Sequence, residues 1–116
     1  MVDLLLDKSY NFALRIVRLS EYLDNEKKEY VLSRKILDSG TNIGLFIEEG
    51  KQGENRADFI QKYSLANKEA FRSHFLLRLL RDSEFISKSH AESIIADCDE
   101  LKKLLVSSLK TARAKE

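Results

Sequence analysis

All four glycines of the chain lie in one stretch, SGTNIGLFIEEGKQG, at residues 39–53. A glycine-rich loop can cradle phosphates, and its nucleotide-binding form has the pattern Gly-x-x-x-x-Gly-Lys-Ser/Thr between a strand and a helix. Here five residues separate Gly44 from Gly50, Gln52 follows Lys51, and no strand is predicted before the stretch. The glycines therefore do not predict a nucleotide-binding loop.

A close contact between helices explains the first two glycines better. Gly40 and Gly44 are four residues apart and so share one face of a helix. Each costs about 1 kcal/mol inside a helix relative to alanine, which close packing must offset. Ser39, Thr41 and Asn42 can hydrogen-bond across such a contact. The predicted helix-packing or oligomer surface consists of Ser39, Gly40, Thr41, Asn42, Gly44, Phe71 and Phe75.

Histidine and cysteine placement argues against catalysis and against a metal site. Di-iron sites in helical bundles use Glu-x-x-His pairs, and the chain has none. His74 and His90 lack an acidic or histidine partner one helical turn away, and the single cysteine, Cys98, occupies a core position. We therefore predict no cofactor, no metal and no enzymatic activity. A hydrolase that uses Glu48 or Glu69 is the least favoured hypothesis.

The charged residues beside the apolar positions allow two interpretations. Glu48, Lys68 and Glu69 form a buried polar network if Glu48 faces the core, because a buried carboxylate needs a cationic partner such as Lys68 or Arg72. Alternatively, all of them are solvated. The sequence leaves both interpretations open.

The net charge of +1, from 20 basic and 19 acidic residues, gives no overall attraction to nucleic acid or membrane. Basic residues are nevertheless concentrated after residue 100, where only Glu116 opposes the cations at 102, 103, 110, 113 and 115. A basic helix end also complements the helix dipole, so a solvated surface is the alternative. The candidate contacts to RNA or DNA are Arg72, Arg78, Arg81, Lys102, Lys103 and Lys110.

Hydrophobic periodicity predicts four helices, at about 7–24, 28–50, 55–82 and 88–113, in a single domain over 1–116. Ala13 and Val17 are expected to widen the core-facing side of the first helix. Gly50 or Gly53 is expected to end the second in a left-handed cap. The second half of the third helix is apolar nearly all round, which indicates burial on more than one side. Short turns between long helices predict an all-α, antiparallel up-down-up-down four-helix bundle.

No apolar run approaches the length of about 20 residues that a membrane span needs, and the N-terminus lacks the features of a signal peptide. The expected location is cytoplasmic, without a membrane partner.

At LDSGTNIGLFIEEG the sequence resembles the family of small four-helix-bundle proteins encoded in intervening sequences of bacterial large-subunit ribosomal RNA genes. The resemblance covers nearly the whole chain. The matching residues are Phe12, Leu37, Ser39, Gly40, Thr41, Ile43, Ile47, Glu49, Asp58, Phe59, Ile60, Ala66, Lys68, Glu69, Ala70, Ser73, Leu76 and Leu80. Departures are Leu45-Phe46 for a frequent Ala-Asn, Arg72 for Glu and Phe75 for Trp.

The resemblance implies an up-down-up-down bundle that assembles as a ring-like homopentamer, with no catalytic motif. The chain is also similar to the accessory variability proteins of diversity-generating retroelements, which are basic pentamers that bind nucleic acid and a reverse transcriptase. The favoured hypothesis is a non-enzymatic homo-oligomeric scaffold, pentameric, with RNA or DNA as partner. The alternative is a protein-interaction adaptor, accessory to a reverse transcriptase or another polymerase-type protein.

Overall fold

The computed structural model describes residues 3–115, which form four α-helices: α1 (Leu4–Asn25), α2 (Val31–Lys51), α3 (Arg56–Asp82) and α4 (Lys88–Ala114). No strand occurs in this part of the chain. Each helix packs against its neighbour in sequence, and α1 also packs against α4. The predicted all-helical fold of four helices is confirmed. Residues 1, 2 and 116 of the predicted domain lie outside the described residues.

The first two helices begin at positions other than those predicted from periodicity. Helix α1 begins at Leu4 rather than near residue 7, because the Asp3 carboxylate accepts hydrogen bonds from two backbone amides of the first turn. Helix α2 begins at Val31 rather than near residue 28. Lys28 has a φ of 52°, a left-handed conformation that a continuous α-helix does not contain.

The predicted left-handed glycine cap of α2 is wrong. None of the four glycines has a positive φ, and α2 continues through Gly50 to Lys51. A Cβ atom on Gly50 would lie 2.7 Å from Cδ1 of Tyr63 on α3. Gly50 therefore serves the close approach of two helices rather than the end of one.

The core contains the apolar residues at the predicted heptad positions of all four helices. The largest fully buried side chains are Phe12, Ile16, Leu19, Leu23, Ile36, Ile43, Ile47, Tyr63, Leu77, Leu80, Ile94 and Leu101. Val17 is an exception to the prediction, because 39% of it is exposed and it points away from this core.

Small residues set the distance between α2 and its two neighbours. A Cβ atom on Gly40 would lie 2.7 Å from Cγ1 of Ile16 on α1, too close for an unshifted contact. On Gly44 the nearest atom would be the Ser9 carbonyl oxygen at 3.5 Å, an ordinary contact. On the other side of α2, the buried Ser73 hydroxyl of α3 donates to Ser39 Oγ at 2.9 Å. Close packing thus occurs within one subunit.

A second pair of serine hydroxyls joins the opposite end of α2 to α1. Ser20 Oγ and Ser33 Oγ lie 2.7 Å apart, and both residues are buried. Because each hydroxyl satisfies the other, polar groups can occupy this narrow interface without the cost of an unmade hydrogen bond.

In each packed pair of helices, residues that come later in one helix contact residues that come earlier in the other. Along α1 and α2, the contacts are Asp3 with Lys51 and Ser20 with Ser33. Along α2 and α3 they are Ser39 with Ser73 and Glu49 with Lys62. Along α3 and α4 they are Ser64 with Arg113 and His74 with Asp99, and along α1 and α4 they are Lys8 with Glu100 and Arg15 with Asp97.

Among residues 3–115, no helix combines the length and the apolar character that a bilayer crossing would require.

The two α2 glycines provide a matched test of this packing. Gly40→Ala and Gly44→Ala gain the same helix propensity, so the difference between them isolates the contact with Ile16. We expect Gly40→Ala to be less stable than Gly44→Ala by about 1–3 kcal/mol, the usual cost of overpacking a core. Urea unfolding at equal protein concentration measures both. Equal stability of the two variants would contradict the proposed close contact.

Candidate functional site

A row of large apolar side chains lies on the outer surface of α3 and α4. Phe71 and Phe75 are 54% and 55% exposed, and Leu79 and Val106 are also exposed. The three α3 residues recur every four positions, on the side of the helix away from core residues such as Leu77. We call these four exposed side chains the aromatic face. The prediction that this part of α3 is buried on several sides is wrong for the subunit alone. Exposed apolar patches of this kind mark interaction sites.

Two of the predicted nucleic-acid contacts lie on the rings of the aromatic face. Lys102 Nζ is 4.2 Å from the centroid of the Phe71 ring and 3.6 Å from Asp99 Oδ1. The Arg78 guanidinium carbon is 5.7 Å from the centroid of the Phe75 ring. Cations in such positions are attracted by the π-electrons of the ring. The face therefore combines apolar rings with two cations, of which Lys102 is paired with Asp99 of its own helix.

His74 holds Arg78 in this position. The Nε of Arg78 donates to His74 Nδ1 at 3.1 Å, and His74 Nε2 lies 3.3 Å from Asp99 Oδ1. A neutral imidazole with its proton on Nε2 satisfies both contacts. Burial, followed by the nearby charge of Lys102, lowers the pKa of His74, while Asp99 opposes this shift. A proton on Nδ1 would break the hydrogen bond from Arg78.

The remaining predicted nucleic-acid contacts do not form one patch with these two. Arg72 lies 3.5 Å from Glu69 and Arg81 lies 2.8 Å from Asp82, so carboxylates of the same helix neutralise both. The hydrogen bond from Arg81 also lowers the pKa of Asp82. By contrast, Lys103 and Lys110 on α4 are exposed and have no ion-pair partner within residues 3–115.

A second group of cations gathers where α4 ends beside the start of α3. We call it the basic end, and it consists of Arg56, Lys110, Arg113 and Lys115, while Lys103 lies seven residues before Lys110 on the same side of α4. The Arg56 guanidinium donates to the Lys115 carbonyl, and Arg113 donates to the Ser64 hydroxyl at 3.2 Å. An open groove of about 610 Å³ between the two helix ends is lined by Arg56, Lys115, Ser107, Ser108 and Thr111, among others. Arg56 could not be predicted as part of this group from the sequence, because only the fold brings the start of α3 to the end of α4.

The predicted buried network of Glu48, Lys68 and Glu69 is wrong for two of its members. Glu48 and Lys68 are exposed. Only the Glu69 side chain is largely buried, at 12% exposure, and it accepts a hydrogen bond from Asn42 Nδ2 at 2.8 Å. Its cationic neighbour is Arg72 of its own helix rather than Lys68. Glu48 lines a groove between α1 and α2.

The residues predicted for helix packing or oligomer contact divide into three groups. Ser39, Gly40 and Gly44 are buried between helices of one subunit and have no surface for a second copy. Asn42 bonds across to α3, whereas the Thr41 hydroxyl donates to the carbonyl of residue 37 in its own helix, at 2.6 Å. Phe71 and Phe75, the remaining two, are the exposed ones.

Helix α1 carries a second exposed apolar row, which was not among the predicted contact surfaces. We call Tyr10, Leu14 and Val17 the α1 stripe, and they are 58%, 40% and 39% exposed. Their spacing of four and three residues could have revealed a stripe offset from the core positions. A groove of about 400 Å³ lies beside Tyr10 and is bordered by the carboxylates of Asp7 and Glu48.

The described residues place no reactive thiol or metal-ligand cluster at these surfaces. Cys98 is fully buried, its Sγ donates to the Ala70 carbonyl at 3.2 Å, and burial raises the pKa of the thiol to about 12. Within residues 3–115, no three or more His, Cys, Asp or Glu side chains are arranged to hold a metal ion.

The position of His74 predicts a pH dependence of stability. Its pKa in the folded protein lies below the ordinary value of 6.5, so the unfolded chain binds more protons just below pH 6.5. The stabilising contribution is complete above pH 6.5 and falls as the pH drops through the folded pKa. We therefore expect His74→Gln to flatten the free energy of unfolding between about pH 7 and 5. His90→Gln, at an exposed position, is the control. Identical pH profiles for His74→Gln and the unmodified chain would contradict this account.

Comparison with known proteins places the chain in a family. A crystal structure of a protein with unknown function from the S23 ribosomal protein family, from Bacteroides thetaiotaomicron VPI-5482, superimposes with a TM-score of 0.91 at 48% identity. The alignment covers 92% of this chain and 99% of the other. No curated protein matches the chain. The family model of the 23S rRNA-intervening sequence protein matches residues 4–107, so the chain belongs to this family.

Proposed function

We propose that this chain is a non-enzymatic scaffold subunit that assembles with copies of itself into a ring-like homopentamer and binds nucleic acid. The observation that carries the assembly is the exposure of large apolar side chains on the aromatic face and the α1 stripe. A subunit that remained alone would leave both in water, at a cost of roughly 25 cal/mol for each Å² of apolar surface that could be buried.

An antiparallel arrangement of the helices supports this proposal. Residues that come later in one helix contact residues that come earlier in the next. For example, Asp3 contacts Lys51, whereas Ser20 contacts Ser33. With α1 also packed on α4, the helices form a closed square in sequence order. The side made by α1 and α2 is then opposite the side made by α3 and α4, so the two apolar surfaces face away from each other.

The basic end, together with Lys103 on the same side of α4, is the proposed nucleic-acid contact. Arg56, Lys103, Lys110 and Arg113 have no carboxylate partner within residues 3–115, and hydroxyl groups line the adjoining groove. Cationic and hydroxyl side chains are the usual contacts to phosphate oxygens. One subunit carries a net charge of only +1. A ring that repeats the same cations around its rim would multiply their attraction for a polyanion.

The absence of catalysis is also part of the proposal. The buried Cys98 thiol has a raised pKa, and His74 is engaged on both nitrogens, so neither supplies an available nucleophile or base. A cytoplasmic location fits a family named for ribosomal RNA. A role as an adaptor for a reverse transcriptase or another polymerase, as in the accessory variability proteins, is the competing function, and an open aromatic face would favour it.

Salt-dependent binding tests the nucleic-acid proposal. Labelled single-stranded and duplex RNA and DNA are titrated with the unmodified chain from about 50 to 200 mM salt, where phosphate contacts weaken steeply. The double variant Lys103→Gln/Lys110→Gln should bind more weakly and reduce the slope of log K against log salt by about 1.4–1.8, for two lost contacts. Lys35→Gln, at an exposed lysine of α2, is the matched control.

Two results would contradict the nucleic-acid proposal. One is no binding to any of these nucleic acids at the lowest salt. The other is binding that the double variant leaves unchanged. Association with a polymerase that does not respond to salt would instead favour the adaptor function, because an apolar interface releases few counterions.

A further inference from the structure

We propose that the α1 stripe of one copy packs against the aromatic face of the next copy, so that the subunits join head to tail. This inference rests on the proposed self-assembly and names the surfaces that carry it. Both surfaces are rows of exposed large apolar side chains on long helices. The two surfaces belong to different helices. One subunit can therefore contact one neighbour through its α1 stripe and a second neighbour through its aromatic face.

The spacing of residues supports a helix-on-helix contact. On α1 the row is Asp7, Tyr10, Leu14, Val17 and Glu21, with spacings of 3, 4, 3 and 4 residues. On α3 the row is Lys68, Phe71, Phe75 and Arg78, with spacings of 3, 4 and 3 residues. Rows with this alternation keep one edge of a helix toward a partner helix over several turns. Such rows are suited to pack along each other.

Charge complementarity selects this pairing over the alternatives. The α1 row begins and ends with carboxylates, Asp7 and Glu21, and neither has an ion-pair partner within residues 3–115. The exposed cation Arg18, four residues after Leu14, lies beside the middle of the row. The α3 row begins and ends with cations, Lys68 and Arg78, and Lys102, which is paired with Asp99, lies between them on the neighbouring helix. Acidic ends on one row and basic ends on the other attract each other when the rows meet.

The lengths of the two rows are compatible. At about 1.5 Å per residue, Asp7 and Glu21 are separated by about 21 Å along α1, and Lys68 and Arg78 by about 15 Å along α3. Long, flexible lysine and arginine side chains can bridge a difference of a few ångströms at each end. Glu48, which lines the same groove as Tyr10 and has no ion-pair partner within residues 3–115, adds to the acidic side of the contact.

A two-fold contact of either row with itself is disfavoured by the same charges. Two aromatic faces would bring Lys68 and Arg78 of one copy against those of the other. Two α1 stripes would likewise oppose Asp7 and Glu21. Like charges placed together in an interface cost several kcal/mol. The unlike pairing is heterologous, and heterologous contacts close into a ring when the rotation between subunits permits.

Two charge-introducing variants test the pairing. Leu14→Glu disables the α1 stripe, and Phe75→Glu disables the aromatic face. Both side chains are partly exposed, so the subunit should remain folded, which circular dichroism checks. Each variant alone should be a monomer, because one of the two unlike surfaces is missing from every copy. An equimolar mixture should form one-to-one pairs and nothing larger. Val31→Glu, at a side chain 63% exposed outside both rows, should keep the mass of the unmodified chain.

The outcomes distinguish an error in the proposed contact between the α1 stripe and the aromatic face from an error in the proposed self-assembly. If the unmodified chain is itself a monomer, self-assembly fails and the pairing fails with it. If the unmodified chain assembles but either variant keeps its mass, or the mixture forms no pairs, only the pairing is wrong. If one variant forms dimers by itself, the contact is two-fold through the surface that this variant retains. Sedimentation velocity of each protein and of the mixture distinguishes these results.

Discussion

The rest of the structure depends on the close approach of α2 to its two neighbours. At Gly40 a Cβ atom would meet Ile16 of α1 at 2.7 Å, and at Gly50 one would meet Tyr63 of α3 at the same distance. The buried serine pairs Ser20–Ser33 and Ser39–Ser73 occupy the same two interfaces. Since these contacts leave no room for larger side chains, they fix the spacing of three helices. That spacing decides which side chains remain on the outside.

Small and polar residues contribute mainly to the interior of the subunit, whereas several large apolar residues lie on its surface. The polar and small residues of the family-like segment around Gly40 are used inside the subunit. Phe75, at a position where the resembled family often has Trp, lies outside and is 55% exposed. The exposure of a large apolar side chain in the isolated subunit is explained if another molecule covers that side chain. The unlike charges around the α1 stripe and the aromatic face point to a second copy as that molecule.

Much of the fold could be predicted from the sequence, because core positions such as Phe12, Ile16 and Leu19 follow the helical period directly. The role of Gly50 could not, since a glycine that ends a helix and one that admits a neighbouring ring look alike before the neighbour is known. The exposure of Val17 could not be predicted either, because an apolar row offset from the core positions has the same helical period as a wider core stripe.

The candidate sites were harder to predict, because they depend on contacts between helices. The cations at Arg72 and Arg81 look available in sequence but are neutralised by carboxylates of their own helix. Arg56 looks isolated in sequence but lies beside the end of α4. The predicted network around Glu48 failed because periodicity does not say on which flank of a helix the next helix lies.

The native mass of the unmodified chain tests the central claim of self-assembly most directly. Light scattering coupled to size exclusion, over a range of protein concentrations, gives this mass independently of molecular shape. A homopentamer has a mass of about 67 kDa, five times the 13.4 kDa of one chain. The account predicts this value. A mass of 13.4 kDa at every concentration would contradict it, because the aromatic face and the α1 stripe would then remain in water.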